Sequence, residues 1–245
     1  MQQLFTSRPQ AVAQNDWTAR PSTLAIHERP SGTGIITLEG QATDPVGSPH
    51  ARDMEDAVAQ GRWHFGPVIG EGRRNVERFV AMQFKKAYDA RITEFMPDLM
   101  GLYDNAALAA ACGLRLAATG PMFLEQYLER PADEMLCEKT DTTTCRSTMM
   151  EVGNLSIARP GYARHLVYWL TMHLRKAGMQ WALFSAVPAL LNNFRRLGVP
   201  LLILAPADPV KISAEVRATW GSYYDQRPQV SAVNVDTAFR ALSNT

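Results

Sequence analysis

Between Thr148 and Ala205 the chain alternates strand and helix signals without interruption, and this alternation restricts the fold more than any other feature. "TMMEVGNLSI" reads as a strand, and "GYARHLVYWLTMHLRKAG" follows as a helix with Leu166, Leu170 and Leu174 on one face. Arg175 and Lys176 fall in the last turn of that helix, where cations suit the dipole, and Gly178 caps it. "MQWALFSAV" is apolar on both alternating faces, as a central strand must be. "PALLNNFRRLG" opens with Pro188 at a first helical position and closes on Gly198, and "VPLLILA" is a further strand. Such a run builds a layered mixed helix and strand domain.

The preceding segments extend the pattern. In "NVERFVAMQFKKAYDARI", Val76, Phe79, Val80, Phe84, Ala87 and Tyr88 recur at helical spacing, with Glu77, Lys85, Lys86 and Asp89 on other faces. "DLMGLYD" and "ALAAACGLRLAA" flank the turn-forming pair Asp104-Asn105 and read as a hairpin. "GPMFLEQYLERP" predicts a second helix stopped by Pro131, with "RPADEMLCEKTDTTTCRS" a helix end and loop. "WGSYYDQRPQVSAVNV" predicts a final extended segment. Residues 1–74 carry scattered Pro, Gly, Ser, Gln and charge. They read as a loop-rich N-terminal extension with short strands at "TLAIHER" and "GIITLEG", leaving 75–245 as the folded domain.

Charge and cysteine usage narrow the classes of partner. A net charge of +1 supplies no global field toward nucleic acid or membrane, so any basic footprint is local and neither nucleic-acid binding nor stable membrane insertion is expected. Cys112, Cys137 and Cys145 form no C-x-x-C pair and leave one over, which suits a reducing compartment. The first 30 residues are interrupted by Arg, Pro, Asp and Asn where a secretion signal needs an unbroken apolar stretch, so the expectation is a cytoplasmic protein. His27, His50, His64, His165 and His173 show no metal-ligand spacing, and no metal is expected. Dinucleotide, Walker and nucleophile-elbow motifs do not occur.

The junction Arg159-Pro160-Gly161, between a strand and a helix, is the strongest local candidate for a site. The opening turn of a helix offers unsatisfied amides and partial positive charge to an anion. Gly161 lets backbone approach a ligand, Ala163 keeps the first turn small, and Arg159 and Arg164 reach anionic oxygens. No residue from Ser156 to Arg164 is acidic. The other reading is an ordinary Pro-Gly turn.

The stretch from Ser156 to Gly198 resembles the cofactor half of the GNAT N-acyltransferase fold, whose pyrophosphate loop follows the pattern [QR]-x-x-G-x-[GA]. Gly161 and Ala163 match, while Ala158 holds the first position with Arg159 one place late. "FMPDLMGL", "GLRLAATGPMFLEQYLERP", "EVGNLSI", "FRRLG", "APADP" and "WGSYYDQRPQV" together resemble the thermostable hemolysin family, a name that records an old phenotype, and more distantly the acyl-homoserine-lactone synthases. The resemblance implies an α+β fold, with a GNAT-like mixed, mostly antiparallel central sheet flanked by helices. It implies an acyltransferase moving an acyl group from acyl-CoA or acyl-phosphopantetheine to an amine or similar nucleophile. A small-molecule amine acceptor and an acyl carrier protein are the implied partners. The alternatives are a membrane-damaging hemolysin and a catalytically inert GNAT-like binding module.

Residue roles follow from that resemblance. Glu151 is the candidate general base, or else a carboxylate paired with Arg115; Asn154 orients acceptor or carbonyl, and Gly153 marks a bulge. Leu155, Ser156, Arg159, Gly161, Tyr162, Ala163 and Arg164 line the cofactor, with Asn192 and Asn193 on the pantetheine arm. Phe194 stands where many GNAT enzymes carry a tyrosine that protonates the leaving thiolate. Arg115 binds an acceptor carboxylate or neutralises Glu151 or Glu125. Phe123, Glu125, Trp181 and Tyr224 are assigned to the substrate side, and the aromatics Trp181, Trp220, Tyr223 and Tyr224 wall an acyl or acceptor pocket or fill core. Arg73-Arg74, Lys85-Lys86 and Arg195-Arg196 dock an acidic carrier or are solvated surface.

Overall fold

The computed structural model describes residues 62–243, so the short strands expected at "TLAIHER" and "GIITLEG" lie outside the described residues. Seven strands form one sheet: β1 (Trp63–Pro67), β2 (Asp98–Asp104), β3 (Ala107–Leu116), β4 (Met149–Ile157), β5 (Trp181–Ala186), β6 (Leu202–Pro206) and β7 (Gln229–Asn234). Their order across the sheet is β1-β2-β3-β4-β5-β7-β6, and every neighbouring pair is antiparallel except β4 with β5. The expected hairpin is β2–β3, turning at Asn105 with φ 55°.

Helices α1 (Gly70–Tyr88), α2 (Ala132–Thr140), α3 (Ala163–Lys176), α4 (Pro188–Arg196), α5 (Ala214–Thr219) and α6 (Val235–Ser243) cover the sheet. The period-two alternation of β4 and β5 decides which face each side chain serves. Met150, Val152, Ala182 and Phe184 pack with Leu166, Val167, Leu170 and Leu174 of α3 and with Ala238 and Leu242 of α6. Met149 and Leu183 face the opposite way, into a second cluster with Leu124, Tyr127, Leu136, Leu204 and Val230. Val76 and Val80 of α1 bury against Leu99 and Ala111.

Three expectations need correction. β1 and the first turn of α1 fall within the segment assigned to the N-terminal extension, and β1 pairs with β2 from Trp63 opposite Asp104 to Pro67 opposite Met100. The sheet therefore begins before residue 75. "GPMFLEQYLERP" holds only a 3₁₀ turn, Phe123–Tyr127, and the α-helix starts after Pro131 rather than ending there. Carboxylates hold the segment: Glu151 takes the amides of Phe123 and Leu124, and Glu125 takes those of Met122 and Ala132. Carboxylates thereby fix this turn and set α2 going, with Asp133 and Glu134 in its first turn. Finally, "WGSYYDQRPQVSAVNV" is extended only from Gln229, and α6 follows it directly.

Arg146 ties this region together. Its guanidinium donates to both Glu125 oxygens at 2.6 and 3.1 Å, to Asp133 at 3.2 Å, and to the carbonyls of Ala117 and Gly120 at 3.0 Å each. Burial pushes the Glu125 carboxyl upward, but Arg146 and the Ala132 and Met122 amides outweigh it and hold the group below its usual value. A depressed carboxylate stabilises the fold above its ordinary pKa and loses that contribution as pH falls through it. We expect Arg146→Met to cost about 2 kcal/mol at neutral pH. Chemical denaturation at pH 7 and pH 4 checks this: the gap between variant and wild type narrows at the lower pH. A gap that is constant with pH contradicts the assignment.

Candidate active site

The site grows from an irregularity in β4. Gly113 pairs with Gly153 and Ala111 with Ser156, so Asn154 and Leu155 together stand opposite Cys112 alone. This is a β-bulge with its extra residue on β4. It lies one residue beyond the position expected at Gly153, and Asn154 itself adopts the left-handed conformation, φ 52°. Asn tolerates that conformation better than other non-glycine residues.

On its other side β4 pairs with β5 only from Met149 opposite Trp181 to Glu151 opposite Leu183. Beyond that point the two parallel neighbours make no further pairs, and a cavity of about 390 Å³ opens there. Val152, Gly153, Asn154 and Leu155 line it from β4, and Ser185, Ala186, Val187 and Leu190 line it from the end of β5 and the start of α4. Its volume is within the ~300–1,000 Å³ usual for small-molecule sites.

Aromatic rings form much of the remaining wall. Phe84 and Tyr88 come from the last turns of α1, Phe95 from the following segment, Phe123 from the 3₁₀ turn, and Trp220 and Tyr223 from the turn after α5. Gly221 seats that last turn against α1: its φ is 52°, and a Cβ there would lie 2.1 Å from the Tyr88 carbonyl oxygen. The Tyr223 hydroxyl donates to the Ser185 carbonyl at 3.1 Å, fixing the ring against β5.

Residues 90–97 cross over the bulge. The Met96 amide donates to Asn154 Oδ1 at 2.9 Å, and Arg73 donates to the carbonyls of Met96 and Pro97. The Met96 side chain occupies the space that Cβ atoms would fill on both Gly113 and Gly153. The paired glycines are thus a seat for this side chain, and the Asn154 side chain is committed to holding the segment. Arg73 serves the same segment and pairs with Glu77 at 2.8 Å.

Glu151 lies against the cavity but is only 2% exposed. Its oxygens accept from Leu124 N at 2.8 Å and Phe123 N at 3.0 Å, and Arg115 Nη1 is 3.9 Å from Oε2. Burial pushes the carboxyl upward, opposed by the two amides and by Arg115. Glu151 thus faces Arg115 and also lies beside the cavity, with its carboxyl shifted upward by burial. Arg115 also lines the cavity, its only other contact among the described residues being the Pro121 carbonyl at 3.3 Å.

The phosphate-loop candidate lies at the other end of β4. Pro160–Tyr162 form a 3₁₀ turn leading into α3, and neither that turn nor α3 has a side-chain cap. A Cβ on Gly161 would meet nothing within 4 Å, so the space above the loop is open and glycine is not sterically required there. Arg159 stacks on Tyr162, 4.8 Å from the ring centroid, and hydrogen-bonds its hydroxyl. The fold also brings in an acid that the local sequence does not contain. Tyr162 donates to Asp104 at 3.3 Å, and Asp104 is paired with Arg62 at 2.9 Å. Arg164, in the first turn of α3, has no ion-pair partner among the described residues.

Several expected site residues are placed elsewhere. Trp181 is core, 7% exposed, with its indole nitrogen buried and unpartnered. Tyr224 does not line the cavity; its hydroxyl bonds that of Tyr127 at 2.6 Å. Glu125 belongs to the Arg146 cluster. Phe194 is buried and stacks on Phe184 at 5.0 Å, while Asn192 and Asn193 are exposed on α4, the former bonded to Arg195. The Ser156 hydroxyl is buried without a partner. Leu155 and Phe123 do line the cavity. Trp220 and Tyr223, read from the sequence as pocket wall or core, line it too, while the residues that the reading missed, Phe84, Tyr88, Phe95 and Met96, come from the end of α1 and the segment after it.

The sequence pattern of thermostable hemolysin matches residues 69–239, most of the chain. The chain belongs to the thermostable hemolysin family. No curated protein sequence matches this family member. Solved structures that resemble it include two acyl-product synthases. The AHL synthase LasI superposes with a TM-score of 0.50 at 12% identity, covering 74% of this chain and 94% of that one. FeeM, described as an N-acyl amino acid synthase from uncultured soil microbes, gives 0.50 at 13% identity, covering 74% and 95%. At such identity the shared property is the fold, a GNAT-like mixed sheet. Among the described residues no helix is long and apolar enough to cross a membrane, and no cluster of three or more His, Cys, Asp or Glu is arranged to hold a metal.

Asn154 connects backbone conformation to the covering segment, and its variants separate the two. Asn154→Gly relieves the left-handed strain but deletes the bond to Met96 N. We expect amide exchange at Met96 to accelerate about tenfold or more while global stability changes by less than about 1 kcal/mol. Asn154→Ala retains the strain and loses the bond, so it should be the less stable of the two. Gly113→Ala should cost more than Gly153→Ala, because the new Cβ meets Met96 Cβ at 2.4 Å rather than the terminal Met96 methyl. Hydrogen exchange and denaturation midpoints rank all four.

Proposed function

We propose that the protein is an acyltransferase that moves an acyl group from a pantetheine thioester, acyl-CoA or acyl carrier protein, to an amine by direct attack. The observation that carries the reading is the opening between β4 and β5 beside a bulge: it leaves a cavity with Glu151 on its wall, and the uncapped start of α3 follows at the end of β4. The shared fold with two enzymes named for acylated products supports it. Residues before β1 are proposed to form an extension to the GNAT-like domain, and the setting is proposed to be cytoplasmic, where such thioesters are made.

In this mechanism the amides opening α3, with Arg159 and Arg164, hold the phosphates of the pantetheine carrier. Ser156, Gly161, Tyr162 and Ala163 shape that end, and the thioester enters between the parted strands past Leu155. An amine reaching the aromatic cavity arrives as an ammonium. Glu151 takes its proton, helped by the desolvation that makes this carboxylate more basic. The nitrogen lone pair then forms the N–C bond, a tetrahedral oxyanion appears, and backbone amides of the bulge stabilise it. The oxyanion collapses, the C–S bond breaks and the thiolate departs; the second proton on the new amide nitrogen passes to the thiolate or to solvent, and the proton held by Glu151 returns to solvent.

Thiol release from a panel of acyl-CoA and acylated carrier thioesters, with and without amines, tests the reading. Amine-dependent release is expected; none across the panel defeats it. Glu151→Gln should lower kcat about a hundredfold or more, and Arg159→Ala with Arg164→Ala should chiefly raise KM for the thioester. The sign of the pH dependence is fixed as well. Glu151 must be ionised to act, so activity rises with pH through its pKa, and burial places that limb above the ordinary glutamate range. Arg115→Gln removes the cation that opposes the shift and should move the limb higher still.

A further inference from the structure

Arg115 is a cation with donors to spare on the wall of an otherwise largely apolar cavity. Its guanidinium carries five N–H groups in a fork suited to a carboxylate. One contact goes to the Pro121 carbonyl at 3.3 Å, and Glu151 Oε2 is 3.9 Å away, beyond a hydrogen bond. The side chain is 32% exposed, and no ion pair closer than 3.9 Å engages it among the described residues. Arg146, by comparison, has its donors matched to five acceptors, so this fold does saturate an arginine where the role is structural. Glu151 does not satisfy Arg115, because the amides of Phe123 and Leu124 fix its direction and leave Oε2 3.9 Å from the guanidinium.

Arg115 and Glu151 are cross-strand partners in the β3–β4 register, so a cation and an anion stand side by side on one wall. Adjacent opposite charges complement the carboxylate and ammonium of an α-amino acid, which are joined through one carbon. Around them are the rings of Phe84, Tyr88, Phe95, Phe123, Trp220 and Tyr223. The remaining ionisable groups on the lining, Glu94 and Glu215, are both acidic and exposed, which opposes a second carboxylate on the ligand.

We infer that the acceptor is an α-amino acid with an aromatic or large apolar side chain, its carboxylate on Arg115, its amine toward Glu151 and its side chain among the cavity rings. This rests on the acyltransferase reading for the reaction, although the binding it claims does not require turnover. Arg115 is then a specificity determinant in contact with substrate.

Calorimetric titration of the full chain, with and without CoA, tests it using phenylalanine, phenethylamine, 3-phenylpropionate and glutamate. Phenylalanine should bind at least about tenfold more tightly than phenethylamine, which lacks the carboxylate, and than glutamate, which adds one. Arg115→Gln should abolish the preference over phenethylamine, and Arg115→Lys should keep part of it. The wild-type comparison needs no variant to fold. Equal binding of phenylalanine and phenethylamine overturns the inference, as does absence of phenylalanine binding both with and without CoA, or a preference that survives Arg115→Gln. Arg115-dependent binding without thiol release from any thioester would sink the acyl-transfer reading and leave this one standing. Thiol release driven equally by amines without a carboxylate does the reverse.

Discussion

One extra residue in β4 organises the molecule. A strand that continued in register would lie along β5 and close the sheet, leaving no space between them. With Asn154 and Leu155 placed opposite a single residue of β3, β4 bends, and its pairing with β5 ends at Glu151. The same bulge turns Asn154 into the acceptor for Met96 and leaves the Gly113–Gly153 pair bare for the Met96 side chain. Sheet geometry, cavity and covering segment therefore share one cause, and a backbone conformation that costs about 1 kcal/mol or more is retained because all three depend on it.

Glu151 occupies the point where the sheet begins to part, and its surroundings explain how a buried carboxylate is held there. Desolvation of an isolated carboxylate is expensive. Two backbone amides and a nearby guanidinium offset much of that cost, yet the net displacement of its pKa remains upward. A carboxylate offers about four lone-pair positions, and two amides occupy two of them. Acceptor capacity remains available, and the clamp that ties Glu151 to the turn at Phe123 also fixes its direction.

Regular periodicity was legible, and what depended on long-range partners was not. The Leu166–Leu170–Leu174 stripe, Pro188 before α4, Gly178 and Gly198 after their helices, and the Asp104-Asn105 hairpin turn each carry their signal within a few residues. The strand containing Glu151 and its juxtaposition with Arg115 followed from the same local order. Pro131 misled because proline permits a helix to start as readily as it forbids one to continue, and only the placement of Glu125 and Glu151 decides between them. Asp104 is 58 residues from Tyr162, so a loop that contains no acid acquires one only in the folded state. Part of the aromatic wall escaped notice for a related reason: Phe84 and Tyr88 read only as the buried stripe of a helix, and the turn at Gly221 is what brings them beside Trp220 and Tyr223, which the sequence offers as wall or core.

The position of Phe194 bears on where the chemistry must be concentrated. Stacked on Phe184 and buried, it supplies no proton, and the nearby Tyr223 hydroxyl is donated to the Ser185 carbonyl. A leaving thiol has an ordinary pKa near 8.5, so departure as a thiolate at pH 7 costs only about 2 kcal/mol relative to protonated departure. An ammonium acceptor, in contrast, cannot attack at all until it loses its proton. In the proposed transfer the demanding proton step therefore lies on the acceptor side, beside the desolvated Glu151 carboxylate, and the side left without an acid is the one whose leaving group needs it least.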